Sequence, residues 1–236
     1  MLKSQLVAEF SPVSLTLDEG FTACATLLNT LSTIQAFAPG WEADGAVLAS
    51  DQAAFFEVQR RELSREDMEF SSYGIVAESA RRMNGQDIEI EQYMAAVTFG
   101  GTPRSDRQLR LDFLPKDMTL ALARQIVAVC LDWAPLQHLT IMDPYYAMEE
   151  SPIGLRRTGL GWAGWVPFRP EPAALPEGTL IEPMGRGSFI ATQERFWDVP
   201  DRAGVKRGQA LELALNALGV LPTGADLRDG TWGQGG

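Results

Sequence analysis

The stretch GLGWAGWVPFRPEPAALPEGTLIEPMGRGSFIATQERFWDV, residues 159–199, decides the fold. Trp162, Trp165, Phe168, Phe189, Phe196 and Trp197 all fall within it. Each aromatic can bury about 150–250 Å², worth up to roughly 4–6 kcal/mol at about 25 cal/mol/Å². The segment is therefore expected to nucleate the core. Its pattern is strand-like: Gly161 to Phe168, a Pro-rich connection through Pro170, Pro172 and Pro176, then Gly178 to Ile181 and Ser188 to Thr192. Pro167 and Pro183 are expected to stop their strands, because proline has no N–H to give a ladder. Gly185-Arg186-Gly187 reads as a hairpin turn, with glycine supplying the positive φ that a tight turn needs.

Gly159-Leu160-Gly161-Trp162-Ala163-Gly164 spells GxGxxG, the dinucleotide fingerprint. That motif works only where a strand enters it and a helix leaves it, so that helix amides face the pyrophosphate. Here Pro167 and Pro170 follow, and no helix can start at Gly164 and run through them. The glycines read instead as strand positions beside bulky neighbours.

The chain of 236 residues is 45% hydrophobic, ample for a core. Its net charge is −11 and the acids are spread along it. Such a balance argues against nucleic acid or an anionic membrane as a direct partner, and suits either a basic protein partner or simple solubility. Cys24 and Cys130 lie in apolar helical patterns and read as buried reduced thiols. No signal peptide is read at the N-terminus, and the most apolar window, 118–134, is too short and polar to span a bilayer. A cytoplasmic protein is expected.

Outward from the aromatic segment, Leu6–Phe10 reads as a short strand, and Thr16-Leu17-Asp18-Glu19 matches a capping box. Phe21, Cys24, Leu27, Leu28, Leu31 and Ile34 then form one helical stripe. Trp41-Glu42-Ala43-Asp44-Gly45 reads as a loop, followed by a helix near Val47 to Arg61. Tyr73 to Arg81 leads to Asn84-Gly85, a type I′ turn signal, although Ile75, Ala80 and Met83 fit a helical face as well. Alternation continues from Ile88 to Phe99 and through Leu109, Leu111 and Phe113. A helix over 117–133 is apolar on nearly all sides, which predicts cover from both the sheet and another helix. Leu139 to Met142 is a strand, Asp143 to Glu150 a loop, and Gln209 to Leu218 the last helix. Residues 1–222 thus read as one α+β domain, a mainly antiparallel sheet flanked by helices. The Gly-rich tail 223–236 reads as disordered.

The titratable inventory is thin for catalysis. His138 is the sole histidine and reads as a structural, hydrogen-bonded side chain at the start of a strand. No zinc or redox spacing, nucleophile elbow or P-loop occurs. The adjacent Glu149 and Glu150 read as a solvated acidic edge.

Several local patterns together resemble one family, the immunity protein 52 family of bacterial polymorphic-toxin systems. They are the strand into Arg82-Met83-Asn84-Gly85, with Met83 where the family typically shows tryptophan, then Leu109-Arg110-Leu111-Asp112-Phe113-Leu114-Pro115 and Asp132-Trp133-Ala134-Pro135. Gly161-Trp162-Ala163-Gly164-Trp165 and the stretch from Gly178-Thr179-Leu180-Ile181 through Glu194-Arg195-Phe196 complete the set. The resemblance implies a protein that neutralises a cognate toxin of a type VI secretion system, expected to be a basic nuclease of restriction-endonuclease fold. It implies stoichiometric binding, with no active site and no cofactor or metal of its own. An acidic inhibitor would be steered to such a basic cleft and held by a few aromatic anchors among acids. The candidate binding residues are Asp143, Tyr145, Tyr146, Glu149 and Glu150, with Trp41, Glu42 and Asp44 second. Between Asp132 and Glu150 there are four acids and no Lys or Arg. Trp162 and Trp165 are assigned to the core. Two other classes stay open: a small carboxylate-based enzyme with His138 as base, and a ligand-binding module lined by the aromatic segment.

Overall fold

In the computed structural model, residues 4–38, 40–43, 47–65, 72–82, 89–100 and 106–233 are described. In chain order the elements are β1 (Ser4–Phe10), α1 (Leu17–Leu31), β2 (Glu42–Ala43), β3 (Val47–Leu48), α2 (Gln52–Arg65), β4 (Ser72–Arg82), β5 (Glu89–Gly100) and β6 (Gln108–Phe113). They continue as α3 (Leu120–Trp133), β7 (Leu136–Met142), β8 (Ala163–Val166), β9 (Leu180–Met184), β10 (Gly187–Ala191), α4 (Arg202–Ala217) and α5 (Gly224–Arg228). The fold class is α+β: paired strands run antiparallel and helices flank them. The chain divides into two compact units, one made of Met1–Ser11 with Phe113–Gly236 and the other of Pro12–Asp112. Among the described residues no helix is long and apolar enough to cross a membrane.

The unit 12–112 is built on α1. Thr16 and Glu19 form the expected capping box, the Glu19 carboxylate accepting from the Thr16 N–H at 2.8 Å and the Thr16 hydroxyl accepting from the Glu19 N–H at 3.3 Å. The stripe Phe21, Cys24, Leu27, Leu28 and Leu31 is fully buried. Phe21 meets Phe99 of β5 edge-on, with centroids 5.9 Å apart. Phe37 packs against both Trp41 and Tyr93, at 5.0 and 4.8 Å. The long hairpin β4–β5 keeps its register from Ser72↔Gly100 to Arg82↔Glu89, with one irregularity between Ser79 and Ala80. That settles Tyr73–Arg81 as strand rather than helix. The Asn84-Gly85 turn lies outside the described residues. The second helix begins at Gln52 rather than Val47, because Val47 and Leu48 pair with Ala43 and Glu42.

In the other unit the strand order is β1-β7-β8-β10-β9. Period-two alternation sorts the side chains into two layers. Trp165 and Phe189 share one face, and the Arg124 guanidinium of α3 lies 5.7 Å from the Phe189 ring centroid while pairing with Glu182 at 2.6 Å. Val166 and Ile190 share the other, in a cluster with Leu211 and Leu215 of α4, Leu160, Val220 and Leu221. Trp162 and Trp165 are fully buried, as expected, and their indole N–H groups donate to the carbonyls of Gln193 and Met184 at 3.0 and 2.9 Å.

Three expectations need correction here. Pro183 does not stop its strand but sits inside β9, opposite Ser188; β9 ends the strand order, and an edge strand tolerates a missing N–H. α3 is covered on one side only, since Ala121, Gln125, Ala128 and Asp132 are exposed; half of its solvent stripe is alanine, which a hydrophobicity pattern counts as core. The tail is ordered from Thr223 to Gly233: Thr223 and Asp226 cap α5 reciprocally, Trp232 meets Phe168 edge-on at 5.2 Å, and Arg186 donates to the Gly233 carbonyl at 3.0 Å.

Candidate functional site

The GxGxxG glycines serve the core, and they lead to the site. Gly161 has φ +63°, and a Cβ there would stand 2.9 Å from the Ile141 carbonyl oxygen of β7. A Cβ on Gly164 would lie 2.2 Å from the Leu139 oxygen, and one on Gly159 would lie 2.0 Å from a Glu212 carboxylate oxygen. The close approach that the glycines allow is therefore to strand and carboxylate, with no helix leaving the motif.

Glu212 of α4 is the hub. It is 1% exposed, and three donors converge on it: the Tyr146 hydroxyl at 2.9 Å, the Ser151 hydroxyl at 2.8 Å and the Gly161 N–H at 3.1 Å. Burial pushes its pKa above the usual carboxylate range, more than these donors pull it down. The sequence signal was present. Gly208, Glu212 and Leu215 follow at helical spacing, which places a glutamate on the buried stripe.

What the hub holds is the segment expected to carry the binding residues. Residues 146–150 form a single π turn, closed by the Ser151 N–H donating to the Tyr146 carbonyl at 2.8 Å. Tyr146 is fully buried and meets Trp197 edge-on at 5.0 Å. Trp197 lies against Gly204 and Gly208 of α4, where a Cβ would stand 2.4 and 2.7 Å from its ring. Asp143 caps the entry, accepting from the Tyr145 N–H at 2.9 Å and the Val199 N–H at 3.3 Å. Glu150 binds Arg202 through two contacts, 2.7 and 3.1 Å, which hold its carboxylate below the usual range. Left facing solvent are Tyr145 (44% exposed), Met148 (60%) and Glu149.

Of the expected binding residues, Asp143, Tyr145, Tyr146, Glu149 and Glu150 thus come together in one turn, but with divided roles. Tyr146 is corrected from partner-facing to core, because its ring is fully buried edge-on against Trp197 while its hydroxyl serves Glu212. Glu150 is engaged by Arg202 rather than free. Trp41 belongs to the other unit and is 1% exposed, packed on Phe37, so it too is core. Glu42 is half-buried in β2, and Asp44 lies outside the described residues. Met148, neither aromatic nor acidic, carries no sequence signal of that kind.

The side chains considered for catalysis lie elsewhere. His138 is fully buried in β7, and neither ring nitrogen has a partner among the described residues. The expected hydrogen bond is thus not found, and burial pushes the ring's pKa down to about 3. Cys24 and Cys130 are free, buried thiols, with Cys130 pushed up to about 12 by burial. Among the described residues no group of three His, Cys, Asp or Glu could hold a metal ion.

No protein family matches the sequence, and no curated protein does. Among solved structures the chain is similar to Pseudomonas aeruginosa T6SS protein PA0821, with a TM-score of 0.45 and 10% identity over 92% of this chain and 84% of that one. A likeness of that degree decides nothing about function.

Proposed function

We propose that this chain is a cytoplasmic immunity protein that binds a nuclease toxin of a type VI secretion system, one to one, and blocks it. The observation that carries the reading is the exposed Tyr145–Met148–Glu149 surface on a turn anchored from behind by Glu212, Asp143 and Glu150. Tyr145 and Met148 put two exposed apolar side chains on one turn, and a turn pinned in advance loses little freedom when it docks. The resemblance of the local motifs to the immunity protein 52 family and the net charge of −11 point the same way. The carboxylate-enzyme reading is weakened by the burial of its one base, His138. Glu212 does not replace it, since its oxygens already serve three donors and face no solvent.

The test is co-purification with the product of the neighbouring gene, followed by DNA degradation with and without this protein at equal molarity. Suppression complete at one equivalent is expected. Undiminished degradation at several equivalents would sink the proposal.

A further inference from the structure

Resting on the immunity reading, we infer that the docking face is built from two turns, with Met148 as its apolar anchor, and that it fits the basic, phosphate-binding cleft of the toxin. The second turn is 198–202, about fifty residues away in sequence. It is tied to the first at two points: the Asp143 carboxylate accepts from the Val199 N–H, and Glu150 pairs with Arg202. The two tied turns carry Asp143, Glu149, Glu150, Asp198 and Asp201, against Arg202 and, one helical turn further along α4, Lys206. Among the described residues six large apolar side chains are exposed, and two of them, Tyr145 and Met148, sit here.

An apolar centre inside a charged rim is the anatomy of a binding hot spot, where the rim excludes water and the centre supplies affinity. A flexible, polarizable methionine adapts to an irregular notch. Charge selects the occupant. A predominantly acidic rim repels nucleic-acid phosphates and anionic lipid, and it complements a cleft whose lysines and arginines hold those phosphates. Binding there competes directly with DNA.

The experiment uses the full-length product of the neighbouring gene, inactivated, with a fluorescein-labelled DNA duplex bound. Wild type is expected to displace the duplex at one equivalent. Met148→Ala should weaken binding on the order of tenfold or more while leaving its salt dependence unchanged. Asp198→Asn with Asp201→Asn should slow association and flatten the salt dependence. Asparagine still caps α4, whose first N–H groups the Asp201 side chain now receives, so folding is preserved; melting temperatures check this. If both variants bind like wild type, the face is wrong although the immunity reading stands. Binding that leaves the duplex in place overturns the cleft assignment alone. If wild type binds no product at all, the immunity reading falls and this inference with it.

Discussion

His138 and Glu212 are both buried in the same compact unit, and burial gives them opposite effects on stability. For His138 the folded pKa is depressed to about 3 from an ordinary 6.5. Above about pH 6.5 both states are neutral and nothing is lost; below it the unfolded chain takes a proton that the fold refuses. Stability is then lost on acidification at up to about 1.4 kcal/mol per pH unit. His138→Leu should remove that slope, gaining on wild type by about 2 kcal/mol between pH 6.5 and 5, where most carboxylates are silent. Urea midpoints at the two pH values decide it, and parallel curves would refute it. For Glu212 the folded pKa is raised, so its contribution is complete below the ordinary value of 4.5 and is lost as pH rises through the folded one. Glu212→Gln keeps the shape and removes the ionisation. Wild type should therefore lose ground to the variant from pH 4 to pH 7 in thermal melts, and a constant difference would show that the carboxylate does not titrate in that window. Neither side chain could be fully read in sequence. The apolar spacing around each marks it as buried, but which hydroxyls reach Glu212, and that none among the described residues reaches His138, depends on residues far along the chain.

Elements were legible where their signal is local. The Thr16–Glu19 cap, the stripe of α1, the β4–β5 alternation and the Gly185 hairpin each follow from a few neighbouring residues, and each is present. The signal fails where packing overrides composition: Pro183 inside an edge strand, alanines on the open side of α3, and a Gly-rich tail fixed by Trp232 and Arg186. The candidate site was half legible for the same reason. The 143–150 turn is contiguous, whereas its partner turn at 198–202 joins it only through Asp143 and Glu150. Gly20 gives a test at this scale. It lies in α1, where alanine is ordinarily favoured by roughly 0.5–1 kcal/mol, but its Cβ would stand 1.8 Å from Cε2 of Phe99, itself buried beside Phe21. The ring cannot yield without moving the core. Gly20→Ala should destabilise by about 1–3 kcal/mol net. Chemical denaturation measures it, and a stabilised variant would mean that the packing of α1 on β5 is looser than described.

For the whole molecule the governing quantity is a net charge of −11. An internal ion pair such as Glu150–Arg202 leaves it unchanged, and summed over the surface it sets a long-range field that a basic partner feels before contact. That field is screened over about 10 Å at 0.1 M salt and about 3 Å at 1 M. Steering therefore acts on the approach and leaves the docked contacts nearly untouched. Under the immunity reading, the association rate with the toxin should fall by an order of magnitude or more between roughly 20 mM and 500 mM salt. The dissociation rate, governed by Met148, Tyr145 and the packed turn behind them, should change far less. Stopped-flow mixing at four or five salt concentrations separates the two. An association rate indifferent to salt would mean that the acidic surface serves solubility alone, with recognition left to the apolar side chains of the turn.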